Sequence, residues 1–450
     1  MERKGIEEKI LRRIAKCPIS QIQKAKLEIV LRRCFSSIER FSRSLILSAV
    51  RLSRLPFNVI NGSASRKPFA GINSLAKELG KTLTIGVVRF DGIGDHILTL
   101  PLINALYNNP AVKEVKFVLP PKLATLFTGN AHCEVEVVRP YSVHFPILGK
   151  GLIGHVLTIG GFGQFLSWRS GRRFLGKFDL VLLPRWDADY ALNARSWALG
   201  TGSIIVGHNP RLHDSNFGME SGEARLLNLL VESPDASLHE IQHLQVFMDA
   251  IGLDEKIEPG YGNEFFFGTR PAPTWGLKNY ILAHPGAINA NRCWPDEMWI
   301  ELFKSLSEVS DLSVLVIGAP SESAQIETII SGLGKQFINC AGMLPMKQLP
   351  SVMAHATAFV GSDSGPMHIA ACLKIPLVAI SSHSREGSLS HVNSPTRFGP
   401  WGTDFFWVCP DSPIQPCNQG CECTVPHCIT QIPASEVLSK LMKLLAQLNN

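Results

Sequence analysis

No run of about 20 uncharged apolar residues, the length a spanning helix needs, occurs in this chain. The nearest approach, 151–168, is broken by glycines at 151, 154, 160, 161 and 163. The first 25 residues lack the apolar core of a secretory signal, so a cytoplasmic location is expected. Charge is also scarce. Asp, Glu, Lys and Arg make up 18% of the residues against 45% hydrophobic ones, which excludes a disordered chain. Spread over 450 residues, that apolar content suffices for two domains with full cores. The eleven cysteines, an odd count without a secretory signal, point to a reducing compartment and mostly free thiols.

The charge that is present is unevenly placed. Residues 1–55 hold 14 Lys or Arg against 5 Asp or Glu, an excess larger than the whole chain's +6, so the remainder is slightly acidic. Ile6, Ile10 and Ile14 share one helical face, and Leu27, Val30 and Leu31 continue the pattern. Residues 1–80 therefore read as a basic helical extension and linker. It suits an anionic membrane surface, with the protein peripheral on the inner face, or packing on a partner. Nucleic acid is not expected, because the basic segment holds few aromatics.

From Thr82 the pattern changes to short apolar runs alternating with helical stretches. Leu83–Phe90, Val115–Leu119, Val135–Val138 and Leu180–Leu183 read as strands, with helices over Pro101–Tyr107 and Ala188–Leu199. The second half repeats the plan. Tyr280–Ala283, Ser313–Ile317, Ala358–Val360 and Leu377–Ile380 read as strands between helices, and Val437–Leu448 as a closing helix. Alternation of this kind predicts an α/β fold of two Rossmann-like, doubly wound domains facing a cleft. The expected domains are 81–265 and 276–450, joined by the Gly- and Pro-rich stretch 258–276.

Several strand-to-helix turns carry chemistry. Arg89-Phe-Asp-Gly-Ile-Gly-Asp95 places Gly92 and Gly94 where a tight turn is needed and Asp95 at the start of a helix. Asp95 can cap that helix or take a proton from a hydroxyl. The same stretch imitates a dinucleotide fingerprint, but Ile97 stands where the third glycine belongs, which argues against NAD. His284-Pro-Gly286 leads into Arg292-Cys-Trp-Pro295; the Arg292 fork suits a diphosphate or a surface ion pair. Glu322, after Gly318-Ala-Pro-Ser, can bond ribose hydroxyls or cap its own helix. Gly361-Ser-Asp-Ser-Gly-Pro-Met-His368 aims backbone N–H groups of Ser364 and Gly365 and a helix N-terminus at one point, suited to phosphate. Asp363 can accept a hydroxyl there, and His368 can reach the phosphates or sit in the core.

In this order, the motifs resemble those of glycosyltransferase family 9, the ADP-heptose:lipopolysaccharide heptosyltransferases. Asp363-Ser-Gly-Pro-Met-His368 is similar to the family's D-[ST]-G-x-x-H, and 284–295 to its H-P-G…K/R-x-W-P. Cys340-Ala-Gly342 and Phe398-Gly-Pro-Trp-Gly402 are similar to two of its turns. The resemblance covers residues 81–445 and implies a GT-B fold. It implies that Asp95 is the base of an inverting transfer, with Arg292, Glu322, Asp363, Ser364, Gly365 and His368 at the donor and Gly92, Gly94 and Gly286 forming turns. It further implies an ADP-heptose donor, a lipid-linked saccharide acceptor, and neither cofactor nor metal; the loop 141–173, mixing Phe, Trp and Arg, suits acceptor or membrane contact. The alternative is a non-catalytic nucleotide-sugar-binding or membrane scaffold protein.

Two patterns stand apart. His239-Glu-Ile-Gln-His243 fits H-E-x-x-H, but Val246 stands where a metzincin needs glycine, so zinc proteolysis is not expected. Cys417, Cys421, Cys423 and Cys428 follow C-x3-C-x-C-x4-C, which lacks the paired C-x2-C of a zinc ribbon. Free thiols or a redox-sensitive pair are the expectation, with a zinc or iron–sulfur site as the alternative.

Overall fold

The computed structural model describes residues 69–139, 162–185, 191–208, 227–266 and 276–448, apart from the single positions 233, 234, 236, 390, 392, 419 and 422. The basic extension, the 141–161 part of the expected acceptor loop, and 267–275 of the expected linker lie outside the described residues.

Two six-stranded parallel sheets form the frame. The first contains β1 (Leu83–Val88), β2 (Val112–Leu119), β3 (Glu134–Val137), β4 (Leu180–Leu183), β5 (Ile204–His208) and β6 (Leu229–Val231), in the order β3-β2-β1-β4-β5-β6. The second contains β7 (Tyr280–His284), β8 (Ser313–Val316), β9 (Phe337–Asn339), β10 (Ala358–Ser362), β11 (Leu377–Ile380) and β12 (Phe405–Val408), in the order β12-β11-β10-β7-β8-β9. Read from their first strands, both sheets have the doubly wound order, 3-2-1-4-5-6. Every strand of β4, β7, β10 and β11 is buried along its length, as strands covered on both faces by helices must be.

The strands expected from sequence are present. Four others, β5, β6, β9 and β12, were not legible as strands. They lie toward the sheet edges and span three to five residues, too few to show a period. Before β10 the chain forms a 3-10 turn, Met346–Gln348, that runs into the α-helix Leu349–Met353.

The stretch expected to be a linker is partly core. Within it the helix Gly262–Phe266 buries Phe265 and Phe266 to 2% and 5% exposure. Phe127 packs edge-on to Phe265. One cluster of buried side chains runs from Ile85, Val87 and Leu182 of the first sheet, through these rings, to Leu282 and Phe359 of the second. Polar ties reinforce it. Asn104 Nδ2 donates to the Tyr261 carbonyl at 3.1 Å, and buried Arg397 pairs with Glu240 at 2.8 Å. The two halves are thus packed against one another through apolar contact.

Candidate active site

In each sheet the chain order reverses beside its first strand, between β1 and β4 and between β7 and β10. At such switch points the loops at the carboxyl ends diverge and leave a crevice. The motif residues all leave from those strands: Asp95 follows β1, Arg185 follows β4, Arg292 follows β7, and Asp363 to His368 follow β10.

The two crevices meet. The short helix Ile93–Ile97 packs against the helix Gly365–Cys372 of the other sheet. A Cβ on Gly94 would lie 2.4 Å from the His368 ring, and one on Gly365 would lie 2.7 Å from Ile93 Cβ. Gly92 caps the strand-to-helix turn after β1, and steric room rather than backbone freedom sets the demand at Gly94. None of Gly92, Gly94 and Gly286 has a positive φ. Gly94 is small because the buried His368 ring lies against it, whereas a Cβ on Gly286 would meet only the end of the flexible Glu322 side chain. Gly342 does adopt the left-handed conformation, φ 72°.

On the β1 side the carboxylates form a compact network. Asp95 Oδ1 lies 3.2 Å from Arg89 Nη2 and 3.2 Å from Arg185 Nη1. Its Oδ2 accepts from the Gly92 N–H at 3.1 Å, so the capping role is real. Asp91, 1% exposed, takes the same two guanidiniums at 2.8 and 2.7 Å. Burial would raise the Asp91 pKa, but Arg89, Arg185 and His96 outweigh it and hold the carboxyl well below its usual range. His96 is fully buried, which lowers its pKa despite Asp91. Asp91, Arg89 and Arg185 are not among the residues that the sequence motifs single out for a role. Arg185 was findable only from strand order, because it follows β4, the strand that neighbours β1 across the switch.

On the β7 and β10 side, Arg292 Nη1 lies 3.8 Å from Asp363 Oδ2 and Nη2 donates to Asn393 Oδ1. Arg292 Nε is buried without a hydrogen-bond partner. Asp363 is pushed up by burial, which Arg292 only partly offsets. His284 Nδ1 and Ser364 Oγ are 3.1 Å apart, and Ser364 Oγ donates to the Ser362 carbonyl at 3.0 Å. No side chain caps the helix Gly365–Cys372, so its first-turn N–H dipole faces the crevice. Glu322 lies against Gly286 of the loop after β7. Its Oε2 accepts from the Ala319 N–H at 2.6 Å, so of its two expected roles the structure displays the cap.

His239 and His243 do not form a metal pair. His239 Nδ1 accepts from the Ile241 N–H at 3.1 Å and its Nε2–H donates to the Gly399 carbonyl at 2.9 Å, while Glu240 is held by Arg397. One Asp-x-Asp pattern, Asp187-Ala-Asp189, occurs in the chain and lies outside the described residues. The described cysteines form no disulfide, and Cys417, Cys421, His427 and Cys428 converge.

The buried histidines make stability pH-dependent. Burial lowers His284 and His239 to about 4 and His368 to about 3. Each folded value lies below the unfolded value near 6.5, so unfolding takes up protons. Stability is unaffected above about pH 6.5 and falls as the pH drops toward the folded values, by on the order of 1 kcal/mol per histidine per pH unit. Urea midpoints should drop between pH 7 and 5; a flat profile would contradict these environments.

Comparison with known proteins places this arrangement. Residues 216–421 match the family described as glycosyltransferase family 9 (heptosyltransferase). Lipopolysaccharide heptosyltransferase 3 of Escherichia coli K12 is 28% identical over 138 residues, 30% of this chain and 38% of that protein. A second E. coli protein of that name is 26% identical over 37% of this chain and 47% of its own length. The matched region thus spans less than half of either relative. Among solved structures, E. coli heptosyltransferase WaaC with ADP superposes with a TM-score of 0.58 at 16% identity, over 80% of this chain and 99% of that one. A family 9 glycosyltransferase from Veillonella parvula gives 0.56 at 15% identity, over 82% and 98%. E. coli ADP-heptose heptosyltransferase II gives 0.52 at 20% identity, over 82% and 100%. These likenesses establish the GT-B fold, and among the described residues no helix is long and apolar enough to cross a membrane. Residues 216–421 are thus similar to glycosyltransferase family 9, on a chain with the GT-B fold.

Proposed function

We propose that the protein transfers a sugar from an ADP-activated donor, a heptose or a close relative, to a saccharide acceptor on a lipid, with inversion. The carrying observation is the direct packing of Ile93–Ile97 on Gly365–Cys372, which brings Asp95 to the same crevice as the Asp363–His368 turn. Relatives named as lipopolysaccharide heptosyltransferases, and a structural neighbour bound to ADP, support the substrate class.

In this reading the 81–265 half holds the acceptor and the 276–450 half the nucleotide sugar. Asp95 accepts the proton of the acceptor hydroxyl as its oxygen attacks the anomeric carbon. The bond to the diphosphate breaks on the opposite face, and the pair of electrons leaves with ADP. Charge grows on the departing phosphate, which Arg292 and the N–H groups of Ser364 and Gly365 stabilise. The unpartnered Arg292 Nε–H supplies one such donor. Asp363 orients the sugar or ribose hydroxyls. A peripheral position on the inner membrane face brings the lipid-linked acceptor within reach.

Calorimetric titration with ADP, UDP and GDP tests this, with Arg292→Ala alongside. ADP should bind best, and the variant should lose on the order of tenfold to a hundredfold, as expected for a charged hydrogen bond. A preference for UDP or GDP would discard the ADP-heptose assignment. No nucleotide binding would favour a non-catalytic scaffold.

A further inference from the structure

Between β12 and the 3-10 turn Cys428–Gln431 the described chain forms no helix or strand, yet this stretch and the start of the turn bury a cluster of four cysteines. Cys417, Cys421, Cys423 and Cys428 are 1%, 3%, 6% and 0% exposed and form a cluster of their own, with only Ile414 packed on it among the partly buried hydrophobics. No disulfide joins the described cysteines. Such a loop has too little apolar surface to hold itself, and chains of this kind are stapled by a disulfide or a metal.

The donor geometry fits a metal. One ligand atom each from Cys417, Cys421, His427 and Cys428 lies within 4.8 Å of the others. His427 Nδ1 is 3.6 Å from Cys417 Sγ and 3.5 Å from Cys428 Sγ. Zinc–sulfur bonds of about 2.3 Å and zinc–nitrogen bonds of about 2.0–2.1 Å, arranged tetrahedrally, place nitrogen and sulfur about 3.5 Å apart. We propose that Cys417, Cys421, His427 and Cys428 bind one zinc ion in a closed structural site. Three thiols and a neutral imidazole fill the tetrahedron, and the three thiol protons are released on binding. Cys423, with Sγ 3.7 Å from Cys417 Sγ, stands beside the set as an outer thiol.

The knuckle also braces the crevice. Asn291 Nδ2 donates to the Cys421 carbonyl at 3.2 Å, one residue before Arg292. A Cβ on Gly420 would lie 2.8 Å from His391 Cε1, and His391 Nδ1 accepts from the Asn393 N–H at 3.1 Å. Asn393 in turn takes the Arg292 guanidinium. The zinc site therefore positions Arg292 from two sides, a consequence that rests on the donor reading above, whereas the site itself does not.

The test is metal analysis of the full-length chain, purified under reducing conditions without a metal-affinity step. About one equivalent of zinc is expected, lost in Cys421→Ser and Cys428→Ser and kept in Cys423→Ser. Because those variants can misfold, chelator-stripped wild type is also titrated with cobalt(II), whose thiolate absorption should appear at one equivalent with the intensity of three thiolates. Less than a tenth of an equivalent of metal together with no cobalt band overturns the site. Metal retained in both serine variants, or lost only with Cys423, overturns the ligand set. Iron in place of zinc, lost with the same substitutions, overturns the choice of ion. The stripped chain should bind ADP at least tenfold more weakly; unchanged affinity overturns the bracing of Arg292 and leaves the metal result standing.

Discussion

Replacing Asp95 with asparagine lowers turnover by about 10³-fold, within the range general-base removal produces, while ADP binding stays unchanged. The asparagine keeps the cap, because its side-chain oxygen can still accept from the Gly92 N–H that Asp95 Oδ2 holds at 3.1 Å. What it loses is the capacity to take a proton. Asp95 is the more exposed of the two carboxylates that share Arg89 and Arg185, 18% against 1% for Asp91, so it is the one an acceptor hydroxyl can reach. Steady-state rates and calorimetry on the same preparation separate the two effects. Turnover within a few-fold of wild type would remove Asp95 from the mechanism.

Replacing Asp91 with alanine acts on the fold instead, and costs about 3–5 kcal/mol, the scale for removing one partner of a buried ion pair. Arg89 is itself 5% exposed, and with Asp91 gone its guanidinium keeps, among the described residues, the Asp95 carboxylate at 3.2 Å. His96 loses a carboxylate 3.6 Å away as well. Denaturant unfolding should show the loss directly. Acid alone reproduces it only in part. The Asp91 pKa is lowered in the folded state, so its contribution is complete above the unfolded carboxylate value near 4 and fades only as the pH falls through the lower folded value. A variant as stable as wild type would show that the network carries no net stability.

The sequence by itself determined the fold class and the positions of the motifs. Buried parallel strands such as Tyr280–His284 and Leu377–Ile380 are short apolar runs punctuated by Gly and Pro, and that pattern depends on neighbours in the chain. Asp95, Arg292 and Asp363 were legible for the same reason, since each follows a strand and opens or precedes a helix. Only the tertiary structure decided what contacts what. It showed that Gly94 is small because of His368, 274 residues away, and that Arg185 and Asp91 complete the Asp95 network. It set Glu322 Oε2 on its own helix cap, and it folded Cys417, Cys421, His427 and Cys428, of unremarkable spacing, onto one point. The physical reason is one of range. Strand and turn preferences act between residues a few positions apart. Ion pairs, steric limits and metal geometry act through space, between residues that only the packing of two sheets brings together.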